Sequence, residues 1–445
     1  MEKIREQLTA LKERAVLVGV QAKERRGNYK NDGLAELTAL AQTAGAVIVG
    51  HVQQKLGRIH PGTYIGSGKA RQLSEKVSLD KADAVIFDND LTPGQIRELE
   101  KIIGCKVLDR SELILDIFAT RAKTKQAKLQ VELAQLEYTY PRLTRMWGHL
   151  DSVAGAGGGT AAGAVGGIGT RGTGEKQLEI DRRLVSRRIT ELKRELKTID
   201  RRKLREIAGR RDFFTICIVG YTNAGKSTLM NALTDAGVYV EDKLFATLDT
   251  RTRRWRPAQG VEVLLSDTVG FVSKLPHHLV ASFKATLEEA VSADLLLHIV
   301  DASSPQVFEQ IGSVHKALDE IDCGKKDILT LLNKADAICD MQLFETLQTV
   351  CPDAITISAK TGLNLDKVAA VVAPKVKGRD IRVRVSLESG DGKCHSFLLT
   401  CGREMREHYD QQTLTIEATL GKNQLEQLRR MGCENVEILN DGITG

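Results

Sequence analysis

Aromatic residues make up only 4% of this 445-residue chain. That leaves too few rings for the stacked-base surface on which single-strand nucleic-acid binders rely. No window approaches the run of roughly 18 apolar residues that a membrane span requires. The start, Met1-Glu-Lys-Ile-Arg-Glu-Gln7, is polar and charged, with no apolar signal core behind it. Eight cysteines are scattered, none in a Cys-x-x-Cys pair; they read as reduced cytosolic thiols, not as a disulfide or zinc framework. What is present is the composition of an ordinary soluble globular protein, 42% apolar and 27% charged. The length exceeds one compact core and suggests three or four domains. Net charge is a modest +6, yet residues 175–211 hold fourteen Lys or Arg against seven Asp or Glu. A solvated helix face is the bland reading of such a run. A phosphate-contacting surface is the sharper one. Charge alone does not choose.

Periodicity divides the chain into an α/β multidomain protein. Residues 1–110 alternate short apolar runs with amphipathic stretches. Strands are expected at Ala15–Val20, Ala46–Gly50, Ala84–Phe87 and Lys106–Leu108. Thr92-Pro-Gly-Gln95 opens a helix between the last two, with Thr at the N-cap, Pro at the first helical position and Gln completing a capping box. The alternation argues for a small parallel sheet with helices packed on it. Residues 111–211 form a helical hairpin. Leu129, Leu133, Leu136 and Tyr140 line one face of its first helix. In the second, Leu178, Val185, Leu192 and Ile199 recur every seven residues, with Ile189 and Leu196 between them. The loop at residues 155–174 has glycine at ten of twenty positions. A linker is the usual explanation, but a long loop between helices that already touch is more often functional. An α/β domain over 212–376, with a mostly parallel sheet and helices on both faces, follows. A small C-terminal α+β domain over 377–445 completes the chain, with strands expected at 381–387, 395–400, 412–418 and 435–439 and a helix at 423–431.

Five motifs in order carry the chemistry. The first, Gly220-Tyr221-Thr222-Asn223-Ala224-Gly225-Lys226-Ser227, follows the apolar strand Thr215–Val219 and opens a helix. Strand, glycine loop and helix N-terminus is the context that turns backbone amides toward phosphate. Lys226 is expected at the β and γ phosphates and Ser227 at magnesium. Phe245-Ala246-Thr247-Leu248-Asp249 lies in a polar segment, where Thr247 is the expected second hydroxyl ligand of magnesium, with Thr250 and Thr252 as rivals. Asp267-Thr268-Val269-Gly270 ends another buried strand; its carboxylate suits magnesium through water, and Gly270 can bring its amide to the γ-phosphate. Lys226, Thr247 and Gly270 are therefore the candidate catalytic groups. Asn333-Lys334-Ala335-Asp336 ends a further strand. A carboxylate there accepts both N–H groups of guanine, and a site built so rejects the wrong base by about 10⁴–10⁵-fold. Ser358-Ala359-Lys360 completes the base pocket. Together these are the parts of a guanine-nucleotide switch. Where many GTPases place a water-orienting glutamine, after the Asp-x-x-Gly motif, stands Phe271.

The flanks narrow the resemblance. Thr63-Tyr-Ile-Gly-Ser-Gly-Lys69, Gly166-Gly-Ile-Gly-Thr-Arg-Gly-Thr-Gly-Glu175 and Phe245-Ala-Thr-Leu-Asp249 resemble the HflX family of translation-factor-related GTPases, over roughly residues 10 to 375. Thr173 departs from the proline usual there. The resemblance implies a monomeric cytoplasmic GTPase that uses Mg2+ and binds GTP and GDP. It implies association with the large ribosomal subunit and its RNA through the hairpin and glycine-rich loop, to split or rescue stalled ribosomes under stress. It also implies ATP use by the N-terminal domain, although no second phosphate loop is present and Ile65–Lys69 is too short to be one. Two other classes compete: a P-loop phosphotransferase, disfavoured by the Asn333–Asp336 base reader, and a GTPase acting on a protein partner with a coiled-coil dimerisation hairpin.

Overall fold

The computed structural model describes residues 13–22, 34–146, 173–209, 213–234, 251–259, 261–272, 289–324, 326–377, 380–388, 391–410, 413–433 and 435–439. These fall into two units, one up to Ile199 and one from Asp200 onward. The expected Phe245–Asp249 motif, Thr250 and residues 155–172 of the glycine-rich loop lie outside the described residues.

The first unit begins with β1 (Arg14–Ala22), α1 (Ala35–Thr43), β2 (Val47–Leu56), α2 (Ser67–Asp80), β3 (Ala84–Phe87), α3 (Pro93–Ile103), β4 (Lys106–Asp109) and α4 (Arg110–Arg121). The strands form one parallel sheet in the order β2-β1-β3-β4, as the alternation of runs leads one to expect. Residues 15–18 of β1 are buried on both faces, which is why that strand reads as a continuous apolar run. Helix α3 starts on the expected box: Gln95 N–H donates to Thr92 Oγ1 at 3.3 Å and Thr92 N–H to Gln95 Oε1 at 2.9 Å.

Two long helices follow, α5 (Lys125–Met146) and α6 (Thr173–Gly209). They meet through Leu129, Leu133 and Leu136 on one side and Ile189, Leu192, Leu196 and Ile199 on the other. That is part of the expected seam; Tyr140 and Val185 are not in this cluster, and the Leu178 side chain lies outside the described residues. Arg188 reinforces it with two bonds to the Glu132 carboxylate, at 2.8 and 3.1 Å. Toward the N-terminal end of α6, Ile180 and Leu184 are exposed. Asp109, at the end of β4, anchors α5 to the sheet. It accepts from Glu112 N–H (2.9 Å), Leu91 N–H (3.2 Å), Tyr138 OH (2.7 Å) and Arg142 Nη2 (3.1 Å). Such a fully buried carboxylate is held in place by its donors.

The second unit contains β5 (Phe214–Gly220), α7 (Lys226–Thr234), β6 (Arg251–Ala258), β7 (Val261–Asp267), β8 (Leu295–Asp301), α8 (Val307–Glu320), β9 (Ile328–Asn333), α9 (Met341–Val350), β10 (Ile355–Thr356) and α10 (Leu365–Lys377). The sheet order is β10-β9-β8-β5-β7-β6, parallel except where β6 runs antiparallel to β7. Strands β5 and β8 are apolar and almost wholly enclosed, and the helices cover them.

The chain ends with β11 (Asp380–Glu388), α11 (Gly392–Cys401), β12 (Arg403–Asp410), β13 (Thr413–Gly421), α12 (Lys422–Arg430) and β14 (Val436–Ile438). The antiparallel order is β12-β13-β11-β14, a β-α-β-β-α-β arrangement with both helices packed on one face of the sheet. One expectation is corrected here. Residues 395–400 lie in helix α11, not in a strand: Cys394 and Leu398 are buried against the sheet while Ser396 between them is exposed, and a strand would turn all three to one face. The third strand is instead β12.

Candidate nucleotide site

The site is built at the carboxyl ends of adjacent parallel strands, the edge at which open α/β sheets receive ligands. Strand β9 ends at Asn333, β8 at Asp301, β5 at Gly220 and β7 at Asp267. The first loop follows β5. Gly220 has φ +153° and lies so close to the Ile299 carbonyl that a Cβ would collide with it. Gly225, at φ +98°, faces the Asn333 side-chain amide as tightly. Only glycine fits either position.

Lys226, the first residue of α7, is buried. Its ammonium donates to the carbonyls of Gly220 at 3.1 Å and Tyr221 at 2.6 Å. Burial pushes its pKa down to about 8, opposed by the Asp267 carboxylate. Ser227 Oγ–H donates to Asp267 Oδ2 at 2.7 Å. Asp267 is 1% exposed, and Thr268 Oγ1–H ties the turn after it to the Ile218 carbonyl at 2.7 Å. A hydroxyl beside a carboxylate is an all-oxygen donor pair, which suits a hard cation such as Mg2+. Gly270 sits against the loop: a Cβ there would come within 2.8 Å of Lys226 Nζ and of Thr222. Thr252 lies in β6, its hydroxyl 2.9 Å from Ser266 Oγ. Thr247 and Thr250, the other two threonines considered, lie outside the described residues.

The residues expected at the base differ in their contacts. Asn333 is 2% exposed and braces two loops: Nδ2–H donates to Ala224 O at 2.8 Å, and Oδ1 accepts from Ala359 N–H at 2.9 Å. Lys334 has φ +65° and pairs with Asp301 Oδ2 at 2.7 Å. Asp336 is exposed at the surface, and its Oδ1 accepts from Ser358 Oγ–H at 2.6 Å. That hydrogen bond, helped by Lys360 and Lys334, holds its pKa below the usual carboxylate value. Ala335 N–H is bound by Ile357 O at 3.1 Å. The structure therefore brings the ends of β5, β7, β8 and β9 and the loops that follow them to one sheet edge. It adds a residue that sequence reasoning missed, Asp301, which Ser303 fixes through N–H (3.0 Å) and Oγ–H (2.6 Å). Its only sequence signal is a carboxylate closing an apolar strand.

Residues 31–119 match the family model "GTP-binding GTPase N-terminal", residues 121–210 "GTP-binding GTPase Middle Region" and residues 215–334 "50S ribosome-binding GTPase". GTPase HflX of Lacrimispora saccharolytica is 42% identical over 416 residues, covering 93% of this chain and 94% of that protein. The chain belongs to the HflX family. GTPase HflX of Escherichia coli K12 is 39% identical over 387 residues, 86% of this chain and 88% of the relative. A solved GTP-binding protein from Sulfolobus solfataricus, in complex with GDP, is 26% identical; the match covers 82% of this chain and 99% of that chain, with a TM-score of 0.41. Members of this family are GTP-hydrolysing enzymes, and so is this chain. Among the described residues no helix is long and apolar enough to cross a membrane.

Proposed function

We propose that the chain is a cytoplasmic nucleotide switch whose GTP state engages the large ribosomal subunit and helps split or rescue stalled ribosomes under stress. The observation that carries this reading is the convergence of Lys226, Ser227, Asp267, Gly270, Asn333 and Asp336 on one sheet edge, in a chain that also carries a long basic helix. The loop at 220–225 cradles the phosphates with its amides. The Lys226 ammonium exchanges its loop carbonyls for β and γ oxygens, with charge matched to charge. Asp336 accepts the guanine N–H pair, held in its charged form by Ser358. Lys334 covers the ring face, steadied by Asp301. Asn333 locks the phosphate loop to the base loop, so both ends of the nucleotide are read against one frame. Ser227, Asp267 and Thr247 would hold Mg2+, which screens the charge gathered on the γ-phosphate. Thr247 lies outside the described residues.

The four-part division at about residues 110, 211 and 376 assigns the hairpin to ribosomal RNA and leaves the C-terminal domain without identified chemistry. Fourteen Lys and Arg in residues 175–211 supply the phosphate-binding charge, and the loop at 155–174 supplies reach. Co-sedimentation with isolated large subunits tests the reading. Binding with a non-hydrolysable GTP analogue should exceed binding with GDP and fall steeply with salt, because each neutralised phosphate releases counterions. Salt-insensitive binding, or none, would return the hairpin to a protein-dimerisation role.

A further inference from the structure

The residue that stands where many GTPases place a water-orienting glutamine is Phe271, and its ring is buried in the core. Both its backbone polar groups are committed to the phosphate loop. Its N–H donates to Gly220 O at 3.1 Å, and its carbonyl accepts from Thr222 N–H at 2.7 Å. Phe271 offers no side-chain hydrogen bond to a nucleotide. What it does is fix the position of Thr222.

Thr222 is 5% exposed, and its hydroxyl is enclosed with no hydrogen-bond partner among the described residues. The other site hydroxyls are engaged: Ser227 with Asp267, Thr268 with Ile218 O and Ser358 with Asp336. An enclosed hydroxyl left unpaired is destabilising, so its presence asks for a partner that function supplies. The place is telling. A Cβ on Gly270 would come within 2.8 Å of both Lys226 Nζ and Thr222 Cγ2. The Thr222 side chain, the Lys226 ammonium and the Gly270 backbone thus share one small space, and Lys226 and Gly270 are the two groups expected at the γ-phosphate.

We propose that the Thr222 hydroxyl is a catalytic group that holds the attacking water against the γ-phosphate, with Phe271 as its positioning residue. The inference rests on the nucleotide-switch reading above. A hydroxyl can accept one hydrogen bond and donate another. Here it accepts from the water and donates to a γ-oxygen. The water oxygen bonds to the γ-phosphorus as the bond from phosphorus to the β,γ-bridging oxygen breaks. GDP leaves with that oxygen, and the water proton ends on inorganic phosphate. Thr222 itself gains and loses no proton.

Single-turnover GTP hydrolysis, with and without isolated large ribosomal subunits, tests this alongside affinities for GDP and a non-hydrolysable GTP analogue. Thr222→Val keeps the shape and removes the hydroxyl. It should slow hydrolysis roughly ten- to hundredfold and leave GDP affinity within about threefold. Thr222→Ser, which keeps the hydroxyl, should restore a rate close to wild type. Hydrolysis at the wild-type rate by Thr222→Val, or a loss in Thr222→Ser as large as in Thr222→Val, overturns the assignment. If Thr222→Val fails to bind GDP, Thr222→Ala, which needs no new space, carries the same expectation and the same refutation. A wild-type chain that hydrolyses no GTP under either condition would defeat the switch reading itself, leaving Thr222 out of account.

Discussion

Asn333 offers a direct way to ask whether the site works as one frame. Its amide donates to Ala224 O at 2.8 Å and accepts from Ala359 N–H at 2.9 Å, and all three residues are buried. Asn333→Ala removes both partners at once. Each buried backbone group left unpaired costs about 1–3 kcal/mol, so the pair costs roughly 2–6 kcal/mol. At 1.4 kcal/mol per tenfold, that corresponds to a loss of roughly 30-fold to 10⁴-fold if all of it falls on nucleotide binding. Part will fall on folding instead, because the two bonds are present without nucleotide. Thermal unfolding of the nucleotide-free variant and its GDP affinity, by titration calorimetry, separate the two shares, whose sum should fall in that range. Asn333→Asp sharpens the test. It keeps an acceptor for Ala359 but turns a second acceptor on the Ala224 carbonyl, so it should be at least as damaging. A variant with unchanged melting temperature and GDP affinity within about threefold of wild type would show that the two loops are held by something else.

Three further outcomes are expected. Asp336→Asn should weaken GTP binding and shift preference toward xanthine nucleotides, whose extra carbonyl suits an amide donor; competition binding with unchanged guanine preference would remove Asp336 from the base pocket. Lys226 predicts a pH effect of defined sign. Its folded pKa of about 8 lies below its ordinary value of 10.5, so its buried charge penalises folding below about pH 8. The penalty lifts as pH rises from 8 toward 10.5, and the nucleotide-free protein should gain stability over that window. Phosphate reverses the preference, so GTP binding between pH 8 and 9 should take up a proton, seen by calorimetry in buffers of different ionisation enthalpy and absent in Lys226→Met. In the hairpin, Leu192 is fully enclosed in the seam. Leu192→Ala should cost roughly 2–5 kcal/mol in denaturant unfolding while leaving GDP affinity unchanged; a loss under 0.5 kcal/mol would mean the seam is not packed as described.

How much was legible in advance depends on whether a residue's work is done with its near neighbours in the chain. The phosphate loop, the Asp267 turn and the Asn333–Asp336 segment could be read because each is a strand end with its chemistry in the next few residues. The Thr92 capping box and the seven-residue seam could be read for the same reason. Asp301 could not. Its partner, Lys334, is brought to it only because β8 and β9 lie side by side, which spacing along the chain does not reveal. Phe271 was misleading in another way: its side chain says what it cannot do, while its function lies in two backbone groups that every residue has. The C-terminal domain shows the limit of periodicity. Phe397-Leu398-Leu399 is a short apolar run that fits a strand or a helix equally well, and the exposure of Ser396 between buried Cys394 and Leu398 decides for the helix. Strand β12 escaped notice because it is an edge strand, with residues 404 and 406–410 all exposed. Among the described residues Met405 alone in this strand packs on the core, too little for an alternation of apolar and polar residues to show, and charged side chains are what keep such an edge from pairing with another chain. The polarity that hid β12 in the sequence is therefore the property that lets it stand at the edge of its sheet.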